Sequence, residues 1–194
     1  GTNSAAIAVA GDVYGASVTM LAETAGSVTS TSTSTLSTAT NSFTDNATIT
    51  INGAAKVVAS GDVSLAAERK TAYSANAREA RNTITGDVGV TLSGATVQSG
   101  GDLSIAATDN LTVTATSARE SLNPSNLEGN IVASVAQNLI TSNTLVTVTN
   151  STVTQTGAGK STVVAADRKT TVSALAAGES LTNGVLPDGK SVNL

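Results

Sequence analysis

Three ten-residue stretches of this chain lie over one another without a gap: Ala66-Ala67-Glu68-Arg69-Lys70-Thr71-Ala72-Tyr73-Ser74-Ala75, Ala106-Ala107-Thr108-Asp109-Asn110-Leu111-Thr112-Val113-Thr114-Ala115 and Ala165-Ala166-Asp167-Arg168-Lys169-Thr170-Thr171-Val172-Ser173-Ala174. A chain that repeats itself builds one local unit several times, and each unit buries its apolar face against its neighbours. The first two copies begin 40 residues apart and the last two 59 residues apart. Those offsets are close to two and three units of about 20 residues, the size of one solenoid turn.

The repeat continues upstream. Gly61-Asp62-Val63-Ser64-Leu65 matches Gly101-Asp102-Leu103-Ser104-Ile105, with Thr162-Val163-Val164 in the third copy. Earlier still come Ile49-Thr50-Ile51-Asn52-Gly53, Val90-Thr91-Leu92-Ser93-Gly94 and Val146-Thr147-Val148-Thr149-Asn150, each a short strand meeting a turn. Val63, Leu65 and Ala67 alternate with Ser64 and Ala66, the period of a strand with one buried face. Gly53, Gly61, Gly94, Gly100, Gly101, Gly157 and Gly159 supply the turns.

Composition fits the same answer. Hydrophobic residues make up 40% of the 194, with one Phe, two Tyr and no Trp. Such a set, mostly Ala and Val, fills a thin, repeated interior rather than a wide one. The expectation is an all-β, single-stranded parallel β-helix, or β-solenoid, wound to the right as parallel crossovers favour. At about 20 residues per coil it makes on the order of nine or ten coils and a rod of roughly 45 Å. One domain spans 1–194, with the regular repeat over 47–177 and an irregular, turn-rich tail over 178–194. The low-complexity stretch 27–44 reads as a strand. Residues 125–142 carry two readings: Ser125-Asn126-Leu127-Glu128 has capping-box spacing ahead of Ile131, Val132, Val135, Ala136, Leu139 and Ile140 at helical intervals, and the same residues also alternate.

Chemistry is sparse. With no His and no Cys, imidazole bases, Ser-His-Asp and Cys-His systems, thiolate metal sites and disulfides are all absent. No residue is nominated as catalytic, cofactor-binding or metal-ligating, and no cofactor is expected. A net charge of −4 on a chain that is 12% charged gives no footprint for nucleic acid, and no apolar run approaches the roughly 20 residues of a spanning helix. The chain opens on Gly1-Thr2-Asn3-Ser4 without a basic-then-apolar leader, as a fragment or mature piece would.

Gly159-Lys160-Ser161-Thr162 resembles the end of a P-loop, but position 154 is Thr where the motif needs Gly, so a turn between coils is expected. The Gly-Asp pairs at 11–12, 61–62, 86–87 and 101–102 lack the glycine ladder of calcium-binding repeats, and these aspartates read as turn formers bonding their own backbone. Asp109 and Asp167 fall one register apart and suggest a carboxylate pair, yet repeated charges, Arg69-Lys70 against Arg168-Lys169 included, fit a solvated face better. Thr-x-Thr pairs raise an ice-binding face, which fails where Gly89 replaces Thr48 in the second copy. Tyr14, Phe43 and Tyr73 are few for a sugar platform.

The repeat resembles the large exported bacterial proteins of the filamentous-haemagglutinin and giant-adhesin kind, whose units run Gly-Asp-Val-x-Val-x-Ala, a polar turn, then Thr-x-Val-x-Ala. The matching residues are Gly61-Asp62-Val63-Ser64-Leu65-Ala66-Ala67 with Thr71-Ala72-Tyr73-Ser74-Ala75, and Gly101-Asp102-Leu103-Ser104-Ile105-Ala106-Ala107 with Leu111-Thr112-Val113-Thr114-Ala115. The resemblance implies a parallel β-helix at a bacterial surface or outside the cell, a structural or adhesive rod without enzymatic activity, and it carries no catalytic residues. The partners expected are a second copy meeting it end to end and a surface glycan or other extracellular ligand, with neither nucleic acid nor a spanning segment. A carbohydrate-binding or polysaccharide-degrading β-helix is the alternative, followed by an ice-binding surface.

Overall fold

The computed structural model describes residues 1–33, 37–117 and 134–176, and the backbone of 191–193. The chain makes four passes of similar layout. The first comprises β1 (Thr2–Val9), β2 (Val13–Gly15) and β3 (Val18–Thr31); the second β4 (Thr38–Asn52), β5 (Lys56–Ala59) and β6 (Val63–Asn76). In the third, β7 (Glu79–Thr85) and β8 (Val88–Ser93) lie end to end where β4 is one strand, followed by β9 (Thr96–Ser99) and β10 (Leu103–Ser117). The fourth repeats this with β11 (Ser134–Thr141), β12 (Thr144–Thr149), β13 (Thr152–Gln155) and β14 (Thr162–Ala176), and β15 (Ser191–Asn193) then pairs with β11.

All pairings are parallel and fall into three sheets: a seven-stranded wall from β1, β4, β7, β8, β11, β12 and β15, a four-stranded long wall in the order β14-β10-β6-β3, and a four-stranded short wall in the order β13-β9-β5-β2. The fold is therefore all-β and β-helix-like: each pass pairs its backbone with the passes before and after it, which is how short parallel strands satisfy their N–H and C=O groups. The sequence register holds residue for residue. Leu21, Ala66, Ala106 and Ala165 form one column, and Ile7, Ile49, Val90 and Val146 another.

The coil length differs from expectation. Val18 pairs with Val63, Val63 with Leu103, and Leu103 with Thr162. An offset of 40 residues is thus one coil, not two, and the offset of 59 is one longer coil. Both long walls alternate and both end in turns, so half a coil resembles a whole one in sequence. Four coils at ~4.8 Å stack to under ~20 Å, whereas a 15-residue wall runs roughly 50 Å. This unit is a plate, not the 45 Å rod expected.

Of residues 125–142, Ser134–Thr141 form strand β11, held by pairing with β7; the capping-box residues lie outside the described part. Within 27–44 the strand reading holds for 27–31 and 38–44. Of the tail, Ser191–Asn193 are strand rather than irregular, and 178–190 lie outside the described residues.

Inside, the alternating residues pack in three zones. Beside the short wall sits the largest apolar cluster, including Ile49, Ile51, Val57, Leu65, Val90, Leu92, Val97 and Ile105. Tyr73, Ile84, Leu111 and Val113 form the next, with Phe43 5.1 Å from Tyr73 between ring centres. At the far end the two long walls close on alanine: Ala39, Ala75, Ala77, Ala80, Ala115 and Ala136. The turn after the first wall takes a left-handed residue in three successive coils, Gly53 (φ 66°), Gly94 (φ 65°) and Asn150 (φ 49°), the residue types that tolerate that conformation.

Candidate functional site

The polar residues inside the walls are the most organised chemistry in the molecule. Arg69 on β6 and Asp109 on β10 are register partners and both point inward. Their side chains are fully buried, and the guanidinium grips the carboxylate through Nε to Oδ1 at 2.8 Å and Nη2 to Oδ2 at 2.6 Å. Arg69 also donates through Nη1 to the Asp45 carbonyl and through Nη2 to Ser142 Oγ. Asp109 accepts from Thr144 Oγ1, and Arg168 of the next coil brings its Nε to 3.6 Å. A buried ion pair needs this degree of saturation, because each desolvated charge left without partners costs several kcal/mol.

Asp45 lies beside this pair, fully buried, its Oδ2 accepting from Thr71 Oγ1 at 2.7 Å and from the Tyr73 hydroxyl at 3.0 Å. Burial, and then the neighbouring Asp45 carboxylate, raise the Tyr73 hydroxyl well above its ordinary pKa, so it stays a donor at any physiological pH. Farther along, Asn41, Asn82 and Asn138 form a ladder: Asn41 Nδ2 donates to Asn82 Oδ1, and Asn82 Nδ2 to Asn138 Oδ1, both at 2.8 Å. Each amide also donates across the interior to the opposite wall, at the carbonyls of Ser74, Thr114 and Ser173. The ladder escaped the sequence reading. Its signal was the offsets of 41 and 56 residues between Asn41, Asn82 and Asn138, which equal those of the columns around them.

The turn aspartates also act between coils rather than on their own backbone. Asp62 Oδ1 accepts from the Asp102 N–H, Asp102 Oδ1 from the Ser161 N–H, Asp87 Oδ1 from the Asn143 N–H, and Asp12 Oδ1 from the Lys56 N–H. The Ser161 N–H holds the Asp102 carboxyl below its usual range. Ser161 belongs to the Gly159-Lys160-Ser161-Thr162 stretch, a turn that feeds strand β14 and not a helix.

Outward-facing residues are mostly small and polar, among them the columns Thr44/Thr85/Thr141 and Thr50/Thr91/Thr147. The Thr48 column breaks at Gly89 and Leu145. Lys70 sits outside, bridging Glu23 of the previous coil and Glu68 of its own, and both partners raise its pKa. The expectation of one solvated charged face holds for Lys70 and Lys169 but not for Arg69, because neighbours in a strand face opposite ways. For the same reason Asp109 lies inside and Asp167 outside, so the two carboxylates are on opposite faces of one sheet and cannot act together on a substrate. Of the three aromatics, Tyr14 is exposed, while Phe43 and Tyr73 are interior.

Among the described residues no group of three or more acidic, His or Cys side chains is gathered to hold a metal, and no helix is long and apolar enough to cross a membrane. No protein-family model, curated protein or solved structure matches the chain.

Proposed function

We propose that this chain is a segment of a large extracellular or cell-surface bacterial fibre or adhesin, a right-handed single-stranded β-solenoid whose role is structural. The column Leu21/Ala66/Ala106/Ala165 carries the reading: four passes of unequal length return to one register without a gap. An architecture whose buried charged and amide side chains tie coil to coil and wall to wall suits a load-bearing element, because a continuous hydrogen-bond ladder along the axis resists bending and proteolysis. The outer walls, mostly small and polar, suit repeated contact with an extracellular ligand such as a surface glycan.

Two measurements test this. Limited proteolysis with far-ultraviolet dichroism is expected to give a resistant, strand-rich core. Incubation with a panel of polysaccharides is expected to release no new reducing or unsaturated ends. Rapid digestion of the strands, or appearance of such ends, overturns the reading.

A further inference from the structure

The two ends of the stack are complementary. At one end the free edges, among the described residues, are β1, β2, β3 and the Thr38–Phe43 part of β4; at the other they are β12, β13, β14 and, where β15 covers Ser134–Ala136 of β11, β15 itself with the rest of β11. The free strands at each end belong to the same walls in the same order. At the second end, residues of inward parity are uncovered: Val148, Val164 and Val172 are 45%, 52% and 51% exposed, although their register partners Leu92, Ile105 and Val113 are fully buried.

We propose that the occupant of this end is the β1–β3 end of a second copy, stacked head to tail so that β12 pairs with β1, β13 with β2 and β14 with β3. This rests on the solenoid reading above. Continuing each column one step sets Val146 over Ile7, Val148 over Val9, Val153 over Val13, Val164 over Met20 and Val172 over Val28. Charge follows the same rule. Lys169 stands two register positions from Glu23 of the second copy, the offset at which Lys70 reaches Glu23 from the opposite side within one copy, where the ion pair closes at 2.9 Å. Inside, the column Thr24, Arg69, Asp109, Arg168 brings the half-exposed Arg168 guanidinium over Thr24, whose buried hydroxyl oxygen has no hydrogen-bond partner. Polar and apolar columns therefore match in one register, and the stacked copies make the rod that a single plate is not.

The test is sedimentation velocity of the purified protein across a concentration series, with electron microscopy of the associated fraction. The 194-residue chain without substitutions is expected to form open-ended stacks rising roughly 19 Å per copy, four strand spacings. Val164→Asp, which places a charge in the joint but on an already half-exposed site, is expected to weaken association more than about 100-fold. Lys169→Glu is expected to weaken it about threefold, and adding Glu23→Lys to restore it. Monomers at all concentrations, a closed dimer, or stacks indifferent to Val164→Asp overturn the proposal. A protease-resistant β-rich monomer would do so while leaving the solenoid reading intact.

Discussion

The interior beside the short wall is apolar, and the other half interleaves apolar clusters with polar side chains that have fixed partners. Beside the short wall, Ile49, Ile51, Leu65, Val90, Leu92 and Ile105 are apolar and interchangeable from coil to coil; contact of this kind rewards volume and tolerates exchange among aliphatics. In the other half Asn41, Asp45, Arg69, Asn82 and Asp109 each have a named partner in another strand. Sliding the third coil by two residues preserves the inward parity of its apolar side chains but breaks the Asn41–Asn82–Asn138 ladder and the Arg69–Asp109 pair. The apolar half supplies cohesion and the polar half supplies register.

That division can be broken most directly at Arg69. Arg69→Met leaves Asp109 buried with its main partner gone, and unfolding in urea is expected to show a loss of about 3–5 kcal/mol, with most of it recovered in Arg69→Met/Asp109→Leu. A single variant no worse than an apolar truncation would mean the charges do not set register. Ile105→Ala, in the centre of the apolar half, is expected to cost about 2–4 kcal/mol in the same assay, and Ile105→Val about 1 kcal/mol, the tolerance that the polar half lacks. Asn82→Ala removes the middle rung of the ladder and is expected to cost about 1–3 kcal/mol, with faster amide exchange in β7 and β11. The smallest effect belongs to Asp102 at the surface. Its carboxyl titrates lower folded than unfolded, so its contribution is present above the unfolded pKa of about 3.8 and is lost as pH falls through the lower folded value. The difference in thermal midpoint between the native chain and Asp102→Ala is expected at pH 7 and to vanish in strong acid.

Register was legible in the sequence because stacked residues share an environment. Ala66, Ala106 and Ala165 are small where the outer wall is small, and Ile49, Val90 and Val146 are branched where the interior is wide. Coil length was not legible, since the first and second long walls obey the same alternation and nothing in one strand says which wall it belongs to. The inward charges were hidden for a related reason: alternation is recognised by apolar residues, and Arg69, Asp109 and Asn82 occupy inward positions without being apolar. At β11 the helical spacing of Val135, Ala136, Leu139 and Ile140 yielded to pairing with β7, a long-range contact that local periodicity does not contain.

In sequence, residues 32–37 separate β3 from β4, 77–78 separate β6 from β7, and 118–133 separate β10 from β11. Six, two and sixteen residues thus span equivalent junctions, and the strands on either side return to unbroken alignment each time. Length varies most at this junction and less at the turn into the long wall, where residues 156–161 stand against 16–17, 60–62 and 100–102, so an insertion between β10 and β11 is expected to leave the neighbouring pairings in register. That makes this junction the natural place for engineers to insert cargo.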